Sequence, residues 1–325
     1  MSHRSVISAS TDDGGGEARR TEQSFQRRGR SRRDIRMEAT SGRKIEGGVF
    51  RSVAAFLVHS NLFISVAATG VALSTTLLAG HSPEFLPLFI VFAATLFVYS
   101  LNRLTDIEED VRNVPSRAAF IGRYGRLFFL AGVSLYLLAV GGAFVLGLPG
   151  APFLVLPVVV AALYSLFRVK QLLLVKNLIV GLSWGIIPLG VGFYYGAVFV
   201  PGILVPFGFF SVMLTVAAAV FDIKDIEGDR AGGIRTVPIV FGPKATRVGA
   251  LAVTVAAGVG LVGLVAVGVV PRRFLVLLGF LAYVAAYIPF ATEDRGPLFY
   301  GFVIDGEHVF LTLLVLATEA LGAGT

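Results

Sequence analysis

The chain has 325 residues, 55% of them hydrophobic and only 15% charged, with a mean hydropathy of +0.78. A soluble domain of this size carries roughly 25% charged residues, so the composition argues against an ordinary water-soluble globule and for a single membrane domain with a polar tail. There is no cysteine, which excludes structural disulfides, cysteine–zinc sites and thiol nucleophiles.

Residues 1–50 form the tail. They contain a glycine run (Gly14 to Gly16), a basic run around Arg27 to Arg36 and few apolar side chains. Such a segment buries too little surface to offset its ordering entropy, so the expectation is a disordered basic tail. It lacks the apolar core and cleavage site of a secretory signal. Its functional reading is electrostatic attachment to anionic headgroups, its plain reading is no specific role, and Met37 is an alternative start. Residues 51–325 are expected to be the membrane-embedded domain.

Apolar segments follow at 53–79, 84–101, 127–147, 151–167, 173–196, 200–221, 248–270, 274–291 and 299–318, each near the length a membrane helix needs. The fold class is therefore an all-α integral membrane protein of about nine transmembrane helices. Residues 1–51 hold 12 of the 28 Lys and Arg, and most other bases fall in loops on the same side as this tail. In all, 26 of the 28 share that side. The positive-inside rule makes it cytoplasmic, in a multi-pass protein of the cell membrane. This pattern describes topology and not a nucleic-acid groove, so no nucleic-acid partner is expected.

Two acidic clusters stand at helix ends on that side. The first is NRLTDIEED (102–110), where Asn102, Asp106 and Asp110 recur every four residues on one helix face. The second is FDIKDIEGDR (221–230), where Asp222, Asp225 and Asp229 sit at i, i+3 and i+7. Opposed carboxylate faces repel unless cations stand between them. Mg²⁺ suits the place, because it takes oxygen ligands and is often held by carboxylates plus substrate phosphates. Each cluster alone is also what a solvated polar loop looks like. The matched spacing, helix ends and side favour a site.

At these residues the chain resembles the UbiA superfamily of membrane prenyltransferases, whose motifs follow helices 2 and 6 of nine helices around a central cavity. GGIRTVPIVFG (232–242), YSLFRVK (164–170) and the Lys176–Asn177 pair extend the likeness over roughly 53–320. The resemblance implies that Asn102, Asp106, Asp110, Asp222, Asp225 and Asp229 hold Mg²⁺, with the five aspartates catalytic. It also implies diphosphate contacts from Arg117, Arg168, Lys170 and Lys176, with Tyr164 bonded to the diphosphate or to an aspartate. The implied partners are an isoprenyl diphosphate donor, a lipophilic acceptor and membrane lipid. The implied reaction transfers a prenyl group to that acceptor. Quinone-precursor rings, glycerol-phosphate lipids, carotenoid ends and chlorophyllide are all acceptors within the superfamily.

Some residues depart from the pattern. Arg103 stands where many members have Asp, removing a carboxylate that Glu108 and Glu109 are placed to replace. Lys224, inside the second motif, is expected to point away from the aspartates or to pair with Glu227. His59 and Asn61 occupy the end of helix 1 where an acceptor-binding arginine is absent. Asp305, Glu307 and His308 lie in the first turns of helix 9, where intramembrane ionisable groups suggest function. Asp305 and His308 share a face at i, i+3 and are candidates to assist acceptor deprotonation. The alternatives to an enzyme are a cation-coupled transporter, or a family member that binds isoprenoids without turning them over. Transporter sites usually lie at broken helices near the midplane, which these helix-end acids do not match.

Overall fold

Inside a bilayer no water satisfies backbone N–H and C=O groups, so a chain this apolar closes its hydrogen bonds within helices. The computed structural model describes residues 48–107, 110–111, 114–166 and 173–322, and every regular element among them is helical. The chain divides into two units, 1–53 and 54–325. Of the first, only residues 48–53 are described, at the start of a helix. The expected tail otherwise lies outside the described residues.

The elements in chain order begin with α1 (Gly48–His59), α2 (Leu62–Leu78), α3 (Phe85–Thr105) and α4 (Pro115–Val145). Then come α5 (Leu156–Leu166), α6 (Val175–Tyr194), α7 (Pro201–Phe221), α8 (Ile226–Ala231) and α9 (Val237–Phe241). The chain ends in α10 (Pro243–Ala266), α11 (Leu277–Tyr287) and α12 (Gly306–Ala320), with a π-helical turn at Phe299–Ile304 leading into α12. Among the described residues, seven helical segments are long and apolar enough to cross a membrane, and the α1–α2 pair makes an eighth.

Three segments differ from the sequence expectation. The helix expected at 53–79 bends by 69° between α1 and α2. Asn61 stands in the bend with φ 63°, a left-handed conformation that Asn adopts more readily than most residues. The helix expected at 127–147 begins at Pro115 instead. At 31 residues α4 is about 46 Å long and overshoots a hydrocarbon core of about 30 Å. Arg117, Arg123 and Arg126 therefore ride on its first turns and not on a loop. The segment at 151–167 is a 3₁₀ turn (Ala151–Val155) followed by the short α5. Pro152 and Pro157 each remove a backbone donor there.

Glycines set the helix spacing where side chains would hold helices apart. A Cβ on Gly181 would lie 2.3 Å from the Ser211 carbonyl oxygen, and one on Gly185 would lie 2.0 Å from Ser211 Oγ. The antiparallel α6 and α7 consequently run backbone to backbone, which brings the start of α6 to the end of α7. Gly132 of α4 meets the Phe97 backbone of α3 in the same way, at 3.0 Å. The small side chains Ala67, Ala68, Gly70, Val71 and Ala72 let α2 sit centrally against α3, α6, α7 and α12. Leu127, Leu137 and Leu138 of α4, and Val255 and Val259 of α10, face outward, as lipid-facing residues should.

Candidate active site

Both acidic motifs continue past the ends of their helices. α3 stops at Thr105, but Asp106 N–H donates to the Asn102 carbonyl and Asp110 N–H to that of Asp106, each at 2.9 Å. The four-residue spacing of the first motif therefore survives as helical turns. The second motif is broken. Residues 222–225 form a turn between α7 and α8, so its three aspartates do not lie on one continuous helix face. Within the motif, Asp225 N–H donates to the Asp222 carbonyl at 3.2 Å across a tight i+3 turn, and Asp229 N–H to the Asp225 carbonyl at 2.8 Å.

Basic side chains stand on these carboxylates. In the first motif, Arg117 grips buried Asp110 with two nitrogens: Nε donates to Oδ2 at 2.9 Å and the guanidinium end to Oδ1. Arg103 approaches the same carboxylate at 3.8 Å. In the second motif, Lys176 Nζ lies 2.8 Å from Asp222 Oδ1 and 3.5 Å from Asp229 Oδ2, bridging two aspartates. Asn177 Nδ2 donates to Asp222 Oδ2 at 3.0 Å. Burial pushes the Asp222 carboxyl above the usual carboxylate range, and Lys176 and Asn177 pull it back down.

Lys224 corrects an expectation. It neither points away nor pairs with Glu227: its ammonium pairs with Asp225 and lies 5.8 Å and 6.0 Å from the rings of Tyr300 and Phe221. The turn after Phe221 rotates residue 224 inward, which a continuous helix would not. Burial holds its ammonium below the ordinary lysine value, against the pull of Asp225.

Beside these pairs is a small polar pocket of about 40 Å³ lined by Arg103, Arg117, Lys224, His59, Asn61 and Asp305, among others. An apolar chamber of about 400 Å³, the size of a ligand site, lies between α3, α5 and α6 and is lined by residues such as Ile90, Val98, Leu154, Ile187 and Phe193. Tyr99 lines both. Its hydroxyl accepts a 3.1 Å bond from Trp184 Nε1, and Trp184 also lines the chamber. From Tyr99 to Pro87 along α3 the chamber runs about 18 Å. A polar end and a long apolar end thus meet at one tyrosine.

The family described as "UbiA prenyltransferase family" matches this chain over residues 62–297. The chain belongs to that family. Relatives include a digeranylgeranylglyceryl phosphate synthase from Methanothermobacter thermautotrophicus, 33% identical over 156 residues that cover 47% of this chain and 54% of that one. Another, from Sulfolobus acidocaldarius, is 31% identical over 167 residues, covering 50% and 58%. The chain spans just over half the length of these curated relatives. Among solved structures, the apo form of a UbiA homolog from Aeropyrum pernix shares the fold with a TM-score of 0.59 at 17% identity, covering 80% of this chain and 98% of that one. A UbiA homolog from Archaeoglobus fulgidus bound to GPP and Mg²⁺ has a TM-score of 0.54 at 13% identity, covering 82% and 99%.

The UbiA fold makes this a multi-pass membrane protein. Within it, the structure brings together Asp110 with Arg117, and Asp222 and Asp229 with Lys176. Arg117, expected to face a diphosphate, is engaged by Asp110 while it lines the polar pocket. Arg168, Lys170, Glu108 and Glu109 lie outside the described residues, as does the side chain of Tyr164 on α5. Among the described residues no three Asp, Glu or His side chains converge as a ready metal cluster. Asp305 and His308, three residues apart at the start of α12, have different surroundings. Asp305 lines the polar pocket, whereas His308 is buried beside the rings of Trp184 (4.7 Å) and Phe280 (5.6 Å). Tyr99 was legible in principle, one helical turn before Asn102, but a single aromatic in an apolar helix gives no signal of its own.

Proposed function

We propose that this chain transfers a prenyl group from an isoprenyl diphosphate to a lipophilic acceptor. The observation carrying this reading is the junction at Tyr99, where a pocket edged by cations adjoins a long apolar chamber. A donor with a charged head and a hydrocarbon tail fits across that junction, its head at the aspartate motifs and its tail between α3, α5 and α6.

The residues present suit a hard dication. Asn102 Oδ1 and Asp225 Oδ1 are buried oxygens without a hydrogen-bond partner, and oxygen donors are what Mg²⁺ takes. Asn102, Asp106 and Asp110 would hold it from one motif, and Asp222, Asp225 and Asp229 from the other. When bound, Mg²⁺ supplies positive charge to the diphosphate oxygens and so weakens the bond to the prenyl carbon. The protein's own part is electrostatic and steric. Lys176 and Lys224 compensate the aspartates and stand beside a diphosphate bound there. As flexible point charges they re-aim more easily than an arginine fork. The ring faces of Tyr99, Trp184 and Tyr300 favour an allylic cation, and the apolar chamber keeps water from it.

The relatives' names point to the acceptor class: the hydroxyl of a prenylated glyceryl phosphate. The loop charges support a cytoplasmic motif end, by the positive-inside rule. Purified protein given geranylgeranyl diphosphate, geranylgeranylglyceryl phosphate and Mg²⁺ should form the doubly prenylated product and release diphosphate, and EDTA should stop both. Folded protein that neither binds nor consumes the donor would overturn the proposal.

A further inference from the structure

We infer that Asp305 is a catalytic base that takes the proton of the acceptor hydroxyl as the prenyl carbon is captured. The inference rests on the prenyl-transfer reading above. Asp305 is the one carboxylate among the described residues lining the polar pocket, and it enters no ion pair or side-chain hydrogen bond there. The other carboxylates nearby are engaged: Asp110 by Arg117, Asp225 by Lys224, and Glu307 by the Tyr287 hydroxyl at 2.7 Å. An uncommitted carboxylate inside a membrane span is costly and is retained where it performs a task.

The surroundings suit that task. Arg103 of α3, Lys224 of the α7–α8 turn and Arg117 of α4 share the pocket with Asp305 and attract its carboxylate electrostatically. None of the three lies within ion-pair distance, so the oxygens are left to accept a proton. His59 of α1, Tyr99 of α3 and Tyr300 of the π-helical turn complete the polar lining, with Glu307 and Tyr287 behind. Because Tyr99 also borders the apolar chamber, this pocket lies at the end of the chamber where the donor's reactive carbon must sit. Asp305 itself stands at the junction of the π-helical turn and α12, an irregularity frequently found at functional sites.

In the step assigned here, the donor's bond from carbon to diphosphate oxygen breaks and its electron pair leaves with the diphosphate. The acceptor oxygen forms the new bond to that carbon. The acceptor O–H bond breaks, and its proton goes to an Asp305 carboxylate oxygen. No oxidant or reductant is needed.

The test compares wild type, Asp305→Asn and Asp305→Glu, with geranylgeranyl diphosphate as donor and geranylgeranylglyceryl phosphate as acceptor. Asp305→Asn should bind the donor with wild-type affinity in Mg²⁺ and lose kcat by about 10²- to 10⁴-fold, the usual contribution of a general base. Its residual rate should lose the fall that wild type shows on the acid side of the kcat–pH profile. Asp305→Glu should recover part of kcat. An Asp305→Asn enzyme within about twofold of wild-type kcat, with an unchanged pH profile, overturns the inference while leaving the prenyl-transfer reading intact. Loss of donor binding in Asp305→Asn overturns it too, by showing a structural role. A wild-type protein that binds no donor and makes no product overturns both readings.

Discussion

The two aspartate motifs solve the same electrostatic problem with different cations. At the first, an arginine fork holds both oxygens of buried Asp110. At the second, one lysine ammonium spans Asp222 and Asp229 while Asn177 supports the first of them. A bidentate guanidinium is planar, always charged and geometrically committed, whereas an ammonium on a four-carbon stem is a mobile point charge. On the proposed reading, both motifs serve the metal, the first with its cation held more firmly and the second freer to exchange its lysine for substrate and metal.

The sharpest way to break that contrast is at Asp225, whose Oδ1 has no hydrogen-bond partner. Asp225→Asn should keep the fold and lower kcat of transfer by about 10²- to 10³-fold, the usual cost of one misplaced electrostatic contact. Steady-state kinetics on detergent-purified protein will measure it, and near-normal turnover would remove the second motif from the chemistry. Next is stability. Arg117→Ala leaves buried Asp110 with only Arg103 at 3.8 Å and should cost about 3–5 kcal/mol, seen as a large fall in thermal unfolding temperature. Lys176→Ala should cost less than half as much, because Asn177 still supports Asp222, while weakening donor binding about tenfold. A reversed order in the unfolding curves would mean the roles are exchanged.

A smaller effect is expected at the helix contact that aligns the second motif. Gly181→Ala forces a methyl against the Ser211 carbonyl and should cost about 1–3 kcal/mol. Gly249→Ala in α10, where nothing lies within 4 Å, should leave unfolding unchanged. The smallest effect belongs to Arg103→Ala. At 3.8 Å from Asp110 its pairing is worth only about 0–1 kcal/mol, so its unfolding curve should nearly overlay that of wild type.

Much of this was readable from the chain, for reasons that also mark where the reading stops. Hydropathy located the spans because lipid imposes it along the whole of a helix. The four-residue repeat of Asn102, Asp106 and Asp110 was legible as helical turns because spacing on a helix is geometry, whereas the Lys176–Asn177 pair was legible only through the family resemblance. Hydropathy could not place the start of α4, since its first turns carry Arg117, Arg123 and Arg126 and lie beyond the apolar window. Nor could it find the bend at Asn61, where one backbone dihedral redirects an otherwise continuous apolar run. Lys224 was misread because a four-residue turn interrupts the helix that the spacing assumed. The Arg117–Asp110 grip was not legible because Arg117 stands on a separate helix that begins at Pro115.

The most direct test of the account is calorimetric binding of geranylgeranyl diphosphate to the purified protein, in Mg²⁺ and then in EDTA, for wild type and Asp225→Ala. The account predicts binding in Mg²⁺ that disappears in EDTA and in the variant. Equal binding in all three conditions, or none to well-folded wild type in Mg²⁺, would contradict it.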